Sequence, residues 1–242
     1  PWRKASQELL RERLFWPAWV GAGALLVAVL VGADGWAPLL GFGLAGFAAG
    51  SALRQIVLAT RRQGWAGLVG RANGGMIVHL GVILLAVALV ASNAYTRSTE
   101  LALTVGEPVE WDGHTFELLE VTNIQTDRTD VARVNVLIDG RHEKGPAITT
   151  FLQMGQPIGT PSVHTGLSHD IYLTVAGLGI PEPGDREVVI EVFYKPLIVW
   201  MWIGGALMAI GTVLAAFPGR RRRDPLDPVS APVRARTESS VG

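Results

Sequence analysis

Gly70–Ser92 reads GRANGGMIVHLGVILLAVALVAS. From Met76 to Ala91, every residue except His79 is apolar or glycine. A helix needs roughly 20 such residues to cross the bilayer core. This stretch therefore predicts a membrane span over about 74–94, and the rest of the chain has to be read around it.

The bulk composition agrees. The chain has 242 residues, 49% hydrophobic and only 17% charged, and its mean hydropathy is +0.31. That is too apolar for an ordinary soluble domain. Three further apolar runs follow the same logic: about 15–31, about 37–59 and 196–218. Pro17 suits the start of the first helix better than its middle. Arg3, Lys4, Arg11 and Arg13 precede the first run; Arg61, Arg62 and Arg71 separate the second and third; Arg220 to Arg223 follow the fourth. Alternation of this kind places all these flanks on the cytoplasmic side. Residues 1–94 are then three transmembrane helices, and residues 95–195 lie outside.

The outer segment is patterned for β structure. LALTVGEPVEWDGHTFELLEV (Leu101–Val121) alternates apolar and polar residues and carries Asp112-Gly113, a strong hairpin signal. VARVNVLIDG, AITTFLQ, HDIYLTV and REVVIEVFY read as further strands between Gly, Pro and Asp breaks. The expected fold is a membrane protein of about four transmembrane α-helices. An all-β extracytoplasmic domain, sandwich or barrel, is inserted between spans three and four. Residues 219–242, rich in Pro, Arg and Ser, are expected to form a disordered cytoplasmic tail. Their arginine run fits an anchor to anionic lipid. With a formal net charge of zero, bulk charge suggests no nucleic-acid partner. The chain has no cysteine, hence no thiolate ligand or thiol nucleophile of its own. It opens on Pro1 with no signal peptide and is read as part of a longer chain.

His79 is the first chemical candidate. An ionisable side chain in a span is costly and marks a functional position by default. Neutral imidazole is a good axial ligand for haem iron, and it can also hydrogen-bond a neighbouring helix. Gly74, Gly75 and Gly81 would let either a flat macrocycle or a second helix approach. Arg54, near the inner end of span two, and Arg71 with Asn73, before span three, can pair with a haem propionate. Arg54 can equally snorkel to the surface, and Arg71 and Asn73 can simply anchor their helix. Trp16, Trp19, Trp36, Trp200 and Trp202 fall at span edges, where an interface belt explains them.

The remaining histidines belong to the outer segment. His114 follows the Asp112-Gly113 turn and is expected to be solvated, and His142 sits in a polar hairpin tip with no special role expected. His164 and His169 are five apart, which suits neither one helix face nor one strand face and is weak evidence for a metal site. Asp170, beside His169, should point to the opposite face of its strand.

Four stretches together resemble the CcmF family, the haem lyase subunits of the bacterial cytochrome c maturation system. Gly70–Ser92 is similar to the family's Gly-…-His-Leu-Gly span near the C-terminus. PWRKASQELLRERL (Pro1–Leu14), Leu101–Val121 and FYKPLIVWMWIGGALMAIG (Phe193–Gly211) resemble three other family segments. The resemblance runs from Pro1 to about Arg223, so the chain looks like a C-terminal portion. It implies that His79 is an axial ligand of a stably bound haem b, and is metal-binding only through that haem iron. It implies that haem is also the transferred substrate, received from a haem chaperone and joined to the Cys-x-x-Cys-His thiols of apocytochrome c. Other membrane subunits of the maturation complex and the lipid bilayer are the further partners. The implied location is the bacterial inner membrane, multi-pass. The family's second axial histidine and outer-face histidines belong upstream of this chain. Where the family usually has arginine before Asp-x-Tyr, this chain has His169. Two other readings stay open: the membrane subunit of the second (ResB-type) cytochrome c assembly system, and a non-enzymatic membrane-anchored β binding module.

Overall fold

A computed structural model describes residues 7–153, 155–177 and 179–217. The expected tail over 219–242, Arg220 to Arg223, and Arg3 and Lys4 lie outside the described residues.

Four helices carry the apolar runs: α1 (Gln7–Leu30), α2 (Trp36–Gln63), α3 (Arg71–Tyr95) and α4 (Ile198–Ala216). Each contains a stretch long and apolar enough to cross a membrane. Pro17 is a departure from the sequence reading, because it lies inside α1 rather than at its start. The helix continues because the residues on either side of Pro17 remain helical, and membrane helices tolerate the lost backbone bond where neighbours compensate. Pro17 is buried against α2, and its Cα would lie 3.0 Å from a Cβ added at Gly50.

Small residues set the helix packing. A Cβ at Gly74 would fall 2.5 Å from the Ala215 nitrogen, and one at Gly81 would fall 2.6 Å from the Gly204 oxygen. Gly204 and Gly211 are equally crowded by α3. Backbones can approach this closely only without side chains between them, and such contact is a main source of helix affinity in lipid. The Gly70 amide also donates to the Leu214 carbonyl at 3.0 Å. After α2, a 3-10 turn over Gly64–Leu68 leads to α3, and the Asn73 amide group donates to the Gly67 carbonyl there. Asn73 therefore anchors the helix start.

In chain order the β residues lie between α3 and α4. One sheet is formed by β1 (Arg97–Thr104), β10 (Glu187–Pro196), β9 (His169–Val175) and β8 (Ser162–Thr165), in that spatial order. The other runs β2 (Val109–Trp111), β3 (His114–Gln125), β4 (Thr129–Ile138), β6 (Ala147–Phe151) and β7 (Pro157–Thr160), with β5 (His142–Lys144) paired to β4. All strand pairs are antiparallel. Alternate residues of both sheets fill the core, including Phe116 and Leu118 of β3, Val134, Val136 and Ile138 of β4, and Val188, Ile190 and Val192 of β10. This period-2 burial is what a sheet with one dry face requires. Asp112 and Gly113 both adopt positive φ and close the β2–β3 hairpin, with Trp111 opposite His114. That is the turn geometry for which an Asp-Gly pair is selected.

The joints between helices and sheets are short. Only Thr96 separates α3 from β1, and only Leu197 separates β10 from α4. Leu197 adopts the left-handed region at φ 59°, and its amide donates to the Ser168 carbonyl at 3.0 Å. A non-glycine residue pays for this conformation only where its surroundings over-determine it. Here β1 pairs along its whole length with β10 while α3 and α4 pack together. The β unit is thereby fixed against the helices without a flexible linker.

Candidate functional site

His79 sits on the exposed face of α3, away from α4. Its Nδ1 lies 2.7 Å from the carbonyl oxygen of Gly75, one turn earlier. A carbonyl can only accept, so Nδ1 carries a proton, and in a neutral ring the lone pair is then on Nε2. That is the tautomer an iron ligand needs, with the other nitrogen fixed by a backbone acceptor. The three glycines near His79 divide by role. Gly74 and Gly81 belong to the contact with α4, whereas Gly75 has nothing within 4 Å of its Cβ position. The open surface beside the histidine is therefore a property of Gly75. His79 and Gly75 share this face with Val82 and Ala86, both exposed. Among the described residues, no other histidine lies in the helices.

His79 lies eight residues into α3 and sixteen before Tyr95. At 1.5 Å per residue that is roughly 12 Å from the start of the helix and roughly 24 Å from the end that meets the β unit.

Arg54 is half-buried in a groove of about 790 Å³ between α1 and α2, with Arg11, Arg61, Phe15 and Trp16. No α3 residue lines that groove. Arg71 opens α3, but its side chain lies outside the described residues. A second, larger groove of about 1340 Å³ runs from α1, α2 and α3 to the base of the β unit, where Arg97, Ser168 and Tyr194 line it. Trp200 is more than a belt residue, since its indole N–H donates to the Leu167 carbonyl at 2.8 Å and ties α4 to the β8–β9 loop. Trp16, Trp19, Trp36 and Trp202 are largely exposed, as an interface belt requires.

The outer histidines correct the sequence reading. His114 is not a solvated turn residue: its Nε2 lies 3.0 Å from the His169 Nε2 and its Nδ1 lies 2.8 Å from the Asp139 Oδ2. His142 is exposed, but its ring stacks on His164 with centroids 4.3 Å apart. Spacing along the chain compares residues only within one element. These contacts form because the two sheets meet, which brings together residues 55 apart in sequence. His169 also stacks on Tyr194, over which the Arg97 guanidinium sits, and Arg97 donates to the Asp112 Oδ1 at 2.7 Å. Asp139, His114, His169, Tyr194, Arg97 and Asp112 thus form one continuous chain of contacts across the two sheets.

Burial lowers the pKa of His169, and the neighbouring His114 lowers it further. His164 is shifted down by burial and then by His142. Burial would raise the Asp139 pKa, but the His114 hydrogen bond and the Thr115 amide outweigh it, and the carboxyl lies below its usual value. Asp170 points away from His169, as alternation predicts, and so lies on the face of β9 opposite the core residues Ile171 and Leu173. It is 3% exposed and accepts from the Gly166 amide, and burial pushes its pKa up.

Comparison with known proteins bears on the fold. No family model matches the chain. It is 30% identical over 222 residues to the cytochrome c-type biogenesis protein CcmF of Pseudomonas fluorescens, covering 85% of this chain and 32% of that protein. It is 28% identical over 218 residues to CcmF of Pseudomonas aeruginosa, covering 84% and 32%. It is 28% identical over 243 residues to the cytochrome c-type biogenesis protein ccl1 of Rhodobacter capsulatus, covering 92% and 34%. The chain is CcmF-like. It spans about a third of the length of the curated relatives it matches. A solved structure of the cytochrome c heme lyase CcmF superposes on 90% of this chain and 36% of its own, with a TM-score of 0.73 at 23% identity. The apolar helices and β-rich unit of the CcmF-like chain are therefore the fold of that structure over the shared region.

Proposed function

We propose that this chain is the C-terminal portion of a haem lyase subunit of cytochrome c maturation, and that His79 is an axial ligand of a b-type haem in the membrane. The observation that carries the haem reading is the 2.7 Å contact between His79 Nδ1 and the Gly75 carbonyl oxygen. Nδ1–H donates to the Gly75 carbonyl, so Nε2 presents a lone pair from an apolar helix to an open face. That hydrogen bond stays within α3, so the ring is oriented without help from another helix. The CcmF-like character of the chain supports the lyase reading.

His79 would hold one side of the haem, and the exposed face of α3 would be covered by helices from the rest of the longer protein, which would supply the second ligand. Gly75 leaves space for the ring edge. Arg71, eight residues before His79 at the start of α3, is the candidate to pair with a propionate, whereas Arg54 lines the α1–α2 groove away from α3. A haem held by His79 would supply one-electron redox chemistry, and would thereby keep the substrate haem iron reduced. In the reaction, each thiol of the apocytochrome Cys-x-x-Cys-His motif adds across a haem vinyl group. An S–C bond forms, the C=C bond becomes single, and the thiol proton goes to the other vinyl carbon. Both thiols come from the substrate, which agrees with a chain that has no cysteine. The β unit, fixed to α3 and α4, would face the extracytoplasmic side of the inner membrane. There it would meet the haem chaperone and apocytochrome c.

The test is covalent haem attachment by the full-length protein. Cells carrying wild type should yield apocytochrome product that keeps haem after denaturation, and His79→Ala should lose most of it. Equal product from both, or none from wild type, would overturn the reading.

A further inference from the structure

The β unit contains a second histidine arrangement that the lyase reading does not use. His114 and His169 approach Nε2 to Nε2 at 3.0 Å, and both are half-buried. The other nitrogen of each ring is already engaged. His114 Nδ1 lies 2.8 Å from the Asp139 Oδ2, and His169 Nδ1 lies 2.9 Å from the Ser168 Oγ. A carboxylate only accepts, so the His114 proton is on Nδ1 and its Nε2 is a lone pair. The Ser168 hydroxyl can accept as well as donate, which leaves the His169 Nε2 free to be a lone pair too. Two lone pairs at this distance call for a proton or a cation between them.

We propose that His114 and His169 form a two-nitrogen site for a divalent transition-metal ion of tetragonal preference, in the copper or nickel class. The distance selects the class. With metal–nitrogen bonds of about 2.0–2.1 Å, nitrogens 3.0 Å apart subtend roughly 94° at the ion. That is close to the right angle between neighbouring ligands of a square-planar or tetragonal ion. A tetrahedral zinc ion would need the two nitrogens about 3.3–3.4 Å apart. A bis-imidazole haem would need them on opposite sides of the macrocycle, about 4 Å apart, so this pair does not serve a haem.

Asp139 supplies negative charge at the site, while Asp112 is shared with the Arg97 guanidinium at 2.7 Å. Asp139 orients His114 in the carboxylate–imidazole–metal manner. Asp112 lies close enough to act on His169 electrostatically, and its Oδ2 is buried with no hydrogen-bond partner among the described residues. Among the described residues no three His, Asp or Glu side chains are placed to hold a metal ion together. In this proposal His114 and His169 are the two protein ligands, and water would complete the set. The neighbouring His142 and His164 lie face to face, 29° between planes, so their nitrogens do not converge on one point and stand outside the site.

The alternative occupant of the gap is a proton, with His169 Nε2–H donating to His114 Nε2. Electron paramagnetic resonance separates the two. One equivalent of Cu2+ is added to the full chain in detergent, without a histidine affinity tag. The wild type should show an axial signal with coupling to two nitrogens. His114→Gln and His169→Gln should each lose that pattern and weaken binding at least tenfold. Asp139→Asn keeps both ligands, so it should retain the two-nitrogen pattern while binding about 10–100-fold more weakly. It also serves if either histidine variant fails to fold. His79→Ala and His142→Gln should bind like wild type. Absence of two-nitrogen coupling in wild type, or equal binding by folded His114→Gln and His169→Gln, would overturn the proposal.

Discussion

His79 Nδ1 and the Gly75 carbonyl oxygen are 2.7 Å apart within a single turn of α3. The bond makes the histidine independent of its neighbours for orientation. Nothing from α1, α2 or α4 is needed to fix the ring, and nothing within 4 Å occupies the Cβ position of Gly75. A side chain at Gly75 would therefore fit the helices and fill the space a macrocycle needs. Gly75→Leu should leave the thermal midpoint in detergent within a few degrees of wild type while sharply lowering haem per protein. Measuring both quantities on one sample separates crowding at the site from misfolding.

Gly81 should behave in the opposite way. A Cβ there would fall 2.6 Å from both the Gly204 oxygen and the Met208 Cγ. Gly81→Val should force α3 and α4 apart and cost on the order of 1–3 kcal/mol, the usual range for overpacking. A lowered thermal midpoint would check this.

The β unit has a conventional apolar core with Phe116 at its centre, fully buried between the sheets. Phe116→Ala should destabilise it by about 3–5 kcal/mol. Equilibrium denaturation followed by near-ultraviolet circular dichroism would read the change. His79 lies roughly 24 Å along α3 from that unit, so membrane haem content should fall much less than β-unit stability.

Acid should loosen the same unit in a defined window. Burial holds the pKa values of His164 and His169 below the ordinary 6.5. The unfolded chain then takes up protons first as pH drops below about 6.5, so stability is fully present above that value and is lost as pH falls toward the folded values. Asp139 acts lower, because its depressed pKa contributes stability that is lost only below about 4. Asp170 has the opposite sign: its raised pKa favours the fold on the acid side and loses that contribution as pH rises through the shifted value. Unfolding midpoints between pH 7.5 and 5.5 should therefore fall for wild type and flatten for His169→Gln. An equal slope in the two proteins would remove His169 as a cause.

Most of the fold was legible in the sequence because its signals are local. Hydropathy marked the helices, and alternation marked the strands. Asp112-Gly113 marked a turn whose positive φ angles the structure shows. Pro17 was misplaced because its helix extends back through polar residues that carry no apolar signal. The role of Gly75 was invisible beside Gly74 and Gly81, since all three look alike until α4 is packed against two of them. The histidine contacts were beyond reach for the same reason. His114 and His169 sit in different sheets, and no spacing rule joins strands that become neighbours only when the sheets pack. The Asp139 partner of His114 lies at the next hairpin tip, another Asp-Gly turn with positive φ. The Asp112-Gly113 turn directly before His114 is the one local hint, since Asp139 lies 25 residues further on.

The most direct test of His79 as a haem ligand is the absorption and pyridine haemochrome spectrum of the purified full-length protein, wild type and His79→Ala. A b-type spectrum in wild type that the variant loses, with the thermal midpoint preserved, is the expected result. A haem-free wild type, or a variant with full haem and an unchanged spectrum, would contradict it and leave His79 as a packing residue.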